Sequence, residues 1–128
     1  MEKLYHDILM DHYRYPRYKG RLEGADTFFP AENPSCGDRV HIWVKTQDGN
    51  LMAASFEGAG CVISQAAASI LLERAVGQKC EDIMAYAAST MFDLIGMQLG
   101  PVRSRCALLA LEALQRAIAS CPPRRISA

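Results

Sequence analysis

The stretch between residues 39 and 60 constrains the fold of this chain more than any other. Arg39 to Thr46 alternates strictly: Val40, Ile42 and Val44 face one way, while Arg39, His41, Trp43 and Lys45 face the other. Period-two alternation marks a strand buried on one face. Asp48-Gly49 follows, a pair suited to a tight hairpin turn, and Leu51 to Glu57 reads as the returning strand. Gly58-Ala59-Gly60 then allows a sharp turn into a helix from about Val62 to Val76. That helix is apolar on nearly every side (Val62, Ile63, Ala66, Ala67, Ile70, Leu71), which predicts a central place in the core. Gly77 supplies its stop.

Around this centre the pattern is mostly helical. Residues 2–14 predict a helix, with Leu4, Tyr5, Ile8, Leu9 and His12 at helical spacing and Pro16 ending it. Residues 20–38 are loop-rich, with a short strand expected near Thr27–Phe29. Residues 80–90 read as a second helix, and 91–100 as helix or loop. Pro101 is expected to break the chain. Ser104 is expected to cap a last helix reaching about Ser120, with Leu108, Leu111, Leu114 and Ile118 on its buried side. Pro122-Pro123 end that helix, and the residues beyond are expected to fray. Helix, sheet, then helices is an α+β order rather than a parallel α/β one. The 128 residues suit one domain, 1–128, without internal repeats.

Charge narrows the function classes. Lysine plus arginine equals aspartate plus glutamate at 14 each, so net charge provides no drive toward nucleic acid or acidic membranes. Tyr13, Tyr15 and Tyr18 among Arg14, Arg17 and Lys19 read as a solvated turn or a protein contact. No apolar run approaches the roughly 18–20 residues that span a bilayer. The N-terminus lacks a basic-then-apolar leader pattern. The expected compartment is the cytoplasm. Five cysteines is an odd number, which favours free thiols in a reducing cytosol, some of them ligands, over a cystine framework.

Three of those cysteines stand at element boundaries. They are Cys36 in Asn33-Pro34-Ser35-Cys36-Gly37-Asp38, Cys61 after Gly58-Ala59-Gly60, and Cys106 between Arg105 and Ala107. The gaps of 24 and 44 residues match no short zinc-finger template. Cys36 and Asp38 are two apart, so in extended chain a thiolate and a carboxylate project to one side. Cys61 directly precedes a helix, and Cys106 is placed in the first turn of the last one. Helix N-termini favour thiolates, and Arg103 and Arg105 add positive charge near Cys106. Depressed thiol pKa values are therefore expected at Cys61 and Cys106. A buried cysteine is often only a small hydrophobe. Taken singly, each of the three is as well explained that way. Taken together, the glycine, aspartate and helix-start contexts favour a site for a soft or borderline metal or an iron–sulfur cluster. Cys80 and Cys121 lack partners and read as packing residues, as do the methionines. His6 and His12 read as surface or packing residues, and His41 as a weak ligand candidate.

These residues resemble a known family, the U-type iron–sulfur cluster scaffold proteins (IscU, SufU and the N-terminal domain of NifU). The resemblance begins at Asp11-His12-Tyr13-Arg14-Tyr15-Pro16-Arg17 and continues through Asn33–Asp38. It then takes in Phe56-Glu57-Gly58-Ala59-Gly60-Cys61-Val62-Ile63-Ser64 and Pro101-Val102-Arg103-Ser104-Arg105-Cys106-Ala107. It implies a three-stranded antiparallel sheet packed against several helices, with the metal or cluster site at one end. It implies Cys36, Cys61 and Cys106 as cluster ligands, and Asp38 as the aspartate that ligates or promotes release. Its implied function is de novo [2Fe–2S] assembly by a scaffold that is not itself an enzyme. A cysteine desulfurase of the IscS or SufS type would pass persulfide sulfur to Cys106 or Cys61. Iron then binds, a ferredoxin-type donor supplies electrons, and apo-proteins receive the cluster.

Two departures from the pattern matter. The IscU branch has a histidine just before its last cysteine, where this chain has Arg105, a residue that cannot coordinate. That leaves the fourth position to Asp38, a partner chain or a small thiol. A homodimer sharing one cluster is compatible with this. The SufU branch also lacks the histidine but carries an insertion before the last cysteine, which the 44-residue gap here does not hold. The family segment that binds an Hsp70-type chaperone appears as Leu99-Gly100-Pro101-Val102-Arg103, with one proline lost, which weakens the expectation of that handoff. Two alternatives remain beside the scaffold. One is a Zn²⁺ protein that accepts sulfur and activates a desulfurase, with zinc in the same site. The other is a thiol enzyme using His41 or His12 as base, although neither histidine shares a motif with a cysteine.

Overall fold

The computed structural model describes residues 2–34, 37–97 and 99–121. Cys36, and the stop expected at Pro122-Pro123, lie outside the described residues.

Three strands form an antiparallel meander: β1 (Thr27–Asn33), β2 (Asp38–Gln47) and β3 (Asn50–Ala59), in the order β1-β2-β3. Asp48 and Gly49 both have positive φ, 54° and 79°, as a two-residue hairpin turn of this hand needs. Ala31 pairs with Val40 and Val40 with Gly58; Phe29 pairs with Ile42 and Ile42 with Phe56. The inward row Val40, Ile42 and Val44 is fully buried. Each such side chain contributes about 1.5–3 kcal/mol of burial. β1 extends four residues past the expected strand. Its Pro30 is tolerated because β1 is an edge strand. The far edge of β3 is partly paired too: Phe56 N–H donates to Tyr18 O at 2.9 Å, and Gly20 N–H to Phe56 O at 2.8 Å.

The helices cover the inner face. α1 (Glu2–Arg14) packs on α2 (Val62–Ala75), and α2 packs on the last helix. Ten of the 14 residues of α2 are buried, which places it centrally, as its all-round apolar sequence requires. The expected helix over 80–90 is two pieces, α3 (Cys80–Met84) and α4 (Ala88–Ile95). The break has a tertiary cause. Gln115 Nε2 donates to the carbonyls of Ile83 at 3.1 Å and Tyr86 at 3.0 Å, satisfying the chain where α3 stops. Thr90 Oγ1 then accepts from Ala87 N–H at 3.1 Å and starts α4.

α5 (Pro101–Ala119) is capped by Gly100, four residues before the expected Ser104 cap. Pro101 starts the helix instead of breaking the chain, because a first-turn proline gives up no internal hydrogen bond and has its φ preset. Ser104 is therefore inside the helix, and its hydroxyl donates to Leu99 O at 3.3 Å. α5 lies across β1 and β2 and buries Ala110, Leu111, Ala113, Leu114 and Ala117. Among the described residues no helix is long and apolar enough to cross a membrane.

Candidate metal centre

β2 starts and β3 ends at the pole of the sheet opposite the hairpin turn, and α2 begins there. Asp38 is the first residue of β2 and is 1% exposed. Cys61 is the N-cap residue of α2. The strand-to-helix corner between them depends on Gly60, which has φ 117°. A Cβ on Gly60 would overlap the Asp38 carboxylate and its Cα. With hydrogen in that place, Asp38 Oδ1 accepts the Cys61 N–H at 2.7 Å.

Cys61 is held from several directions. Its Sγ accepts from Ile63 N–H at 3.3 Å, in the position a capping serine oxygen would occupy. Its carbonyl accepts from the buried hydroxyl of Ser64 at 2.9 Å. The residue is half-buried, more open to solvent than Asp38 or Cys106.

Cys106 comes from α5. Because that helix begins at Pro101, Cys106 lies in the second turn, past the free amides of the first. The residue is 2% exposed. Burial pushes its thiol well above the ordinary range, and the facing Asp38 carboxylate and Cys61 thiol push it the same way. The depressed pKa expected from a first-turn position is thus reversed at Cys106. The helix start moved, and the residue turned inward.

The ligand atoms of Asp38, Cys61 and Cys106 all lie within 4.8 Å of one another. Three elements distant in sequence therefore deliver one carboxylate and two sulfurs to a single point. That donor set fits a tetrahedral zinc ion or the irons of a cluster. Arg105 is exposed and lines a groove with Glu32, Asn33 and Glu112. His41 faces Glu32 at 3.5 Å on the outer side of the sheet. His12 lies between α1 and α2, its Nδ1 2.7 Å from Ser69 Oγ and its Nε2 3.5 Å from Glu73. Among the described residues, neither histidine joins the group of Asp38, Cys61 and Cys106. Cys80 and Cys121 pack against the hydrophobic core outside the group. Sequence reasoning missed why Gly60 is needed and what Ser64 does. The glycine was visible, but the carboxylate it admits comes from another strand.

The family model of the NifU-like N terminal domain matches residues 4–128. The chain belongs to the NifU-like N-terminal domain family. Members of known type are similar along most of their length. The "iron-sulfur cluster assembly scaffold protein IscU" of Thermotoga maritima is 31% identical, spanning 90% of this chain and 92% of that protein. The "zinc-dependent sulfurtransferase SufU" of Bacillus subtilis is 32% identical, spanning 93% and 92%. The N-terminal part of a NifU-like protein from Brucella abortus has the same fold, with a TM-score of 0.75 over 92% of this chain and 94% of that one, at 17% identity. The α+β architecture with a three-stranded antiparallel sheet is thus the NifU-like fold.

Proposed function

We propose that this protein is a scaffold for de novo assembly of a [2Fe–2S] cluster, which is its cargo. The observation that carries the proposal is the convergence of Asp38, Cys61 and Cys106 within 4.8 Å in a NifU-like chain. Cys36, two residues from Asp38 in sequence, completes a set of three thiols and one carboxylate in this reading.

Sulfur arrives as a persulfide on a cysteine desulfurase. The acceptor thiolate attacks the terminal sulfur, the donor's sulfur–sulfur bond breaks, and the desulfurase thiolate leaves. One sulfur moves without net redox change. Its reduction to sulfide draws electrons from a ferredoxin-type donor. The acceptor is Cys61 or Cys106, of which Cys61 is the more exposed. Iron is captured by thiolates, so the Cys106 proton has to leave as iron binds. Asp38 is the harder and more exchangeable ligand. Mixed sulfur and oxygen ligation holds a cluster less firmly than four thiolates, which suits a protein that passes its cargo to apo-proteins.

The test is anaerobic incubation with a cysteine desulfurase, cysteine and ferrous iron, followed by addition of an apo-ferredoxin. A [2Fe–2S] absorption spectrum that moves to the acceptor supports the scaffold. Similarity to the Bacillus subtilis zinc-dependent sulfurtransferase favours a second reading, in which the site holds zinc and the protein activates a desulfurase. Desulfurase turnover that rises with the zinc form alone, with no cluster formed, would select that reading.

A further inference from the structure

One side chain outside the ligand group ties together the two segments that carry Asp38 and Cys61. Gln65 lies in the first turn of α2, and its N–H donates to Cys61 O at 3.3 Å. Its side-chain Nε2 reaches back to the sheet and donates to the carbonyl of Arg39, the residue after Asp38, at 3.2 Å. The same nitrogen is 3.0 Å from Ser64 Oγ, which itself donates to the Cys61 carbonyl. The result is a continuous hydrogen-bonded path from the backbone beside Asp38 to the backbone of Cys61.

Gly58 makes the path possible. It stands opposite Val40 on β3, and a Cβ there would fall on the Arg39 carbonyl and against Gln65 Oε1. The carboxamide therefore crosses β3 where that strand has no side chain. An amide suits the place, because both partners accept and its NH2 group carries two N–H donors. A glutamate would set its carboxylate against a carbonyl oxygen, and a methionine would fill the space without bonding.

We infer that Gln65 is a positioning residue for the metal centre, setting the separation of Asp38 from Cys61 through the backbone next to each. The inference rests on the reading of that group as a metal or cluster site. Gln65 touches none of the ligand atoms described, so it acts only through Arg39 and Ser64. Direct hydrogen-bond partners of ligands are worth roughly 10–100-fold in metal affinity, and Gln65, one step further out, is expected at the lower end of that range.

The test is anaerobic Co²⁺ titration of the full chain, read by thiolate-to-cobalt charge-transfer bands and ligand-field bands. Thermal melting is measured alongside on the metal-free proteins. Gln65→Met and Gln65→Glu are expected to bind cobalt about tenfold more weakly, with shifted ligand-field bands. If one variant does not fold, the other carries the comparison. In an Asp38→Ala background, Gln65→Met is expected to add little further loss, because the separation it sets no longer matters. Unchanged affinity and bands in the single variants would overturn the inference. So would an equal loss in the Asp38→Ala background that follows the fall in melting temperature, since that marks a general stabilising role. Absence of thiolate bands in the unaltered protein would overturn the metal-site reading, and this inference with it.

Discussion

Gly60 is a residue at which one added methyl group strikes the candidate site itself. Alanine there faces a left-handed φ of 117° and collides with the Asp38 carboxylate. Gly60→Ala is expected to lower stability by about 1–3 kcal/mol and to weaken zinc binding by at least about tenfold. Chemical denaturation and a zinc competition assay would check the two effects. Asp38→Ala is expected to act in the opposite sense on the cargo. Removing the hard ligand should leave a longer-lived cluster, seen as slower transfer to apo-ferredoxin; an unchanged transfer rate would count against Asp38 as the release ligand. At this scale the sequence was legible where chemistry is local. Cys61 beside a Gly-Ala-Gly corner and Asp38 two residues from Cys36 both stand out in the bare chain. The surroundings of Cys106 did not. They depend on α5 starting at Pro101 and on which face of α5 turns to the sheet, and neither is fixed by the residues next to Cys106.

Among the elements, the contact between α1 and α2 has its own chemistry. His12 is 5% exposed and shares the Ser69 hydroxyl with the Arg17 backbone N–H, which lies 2.9 Å from Ser69 Oγ. Burial lowers the His12 pKa below 6.5, the Arg17 charge lowers it further, and Glu73 and Asp11 oppose both. The unfolded chain therefore binds a proton at this histidine at a higher pH than the folded one. Stability linked to His12 is present in full above pH 6.5 and is lost as pH falls from there toward the lowered value. Urea unfolding midpoints between pH 7.5 and 5.5 should fall, and His12→Gln should flatten that slope. Ser69→Ala removes a partner from the buried His12 ring and from the part-buried Arg17 N–H and is expected to cost about 1–3 kcal/mol. The hairpin and α2 were legible because a local turn and an apolar run specify them. The boundary between α3 and α4 was not, because Gln115, about thirty residues further on, decides where α3 ends.

For the whole molecule, the site works as a clasp. Its ligands come from β2, the start of α2 and α5, so an ion bound there would join all three and stabilise the fold by mass action. Zinc is expected to raise the melting temperature, and a chelator to reverse the gain. Cys61→Ser and Cys106→Ser should abolish most of that response, whereas Cys80→Ser and Cys121→Ser should leave it intact, because the last two lie outside the group. The α+β order and the hairpin followed from the patterns along the chain, whereas the three-stranded antiparallel sheet packed against helices was what the family resemblance implied. The convergence of three distant segments at one pole was legible only through the motifs, since neither spacing nor periodicity brings residues 38, 61 and 106 together.

Iron K-edge X-ray absorption on the anaerobically reconstituted protein tests the central claim most directly, with Cys61→Ser and Cys106→Ser measured beside it. The account predicts an iron–iron scattering path with mixed sulfur and oxygen ligation in the unaltered protein, lost or much reduced in both variants. A full iron–iron path retained in either variant would contradict it.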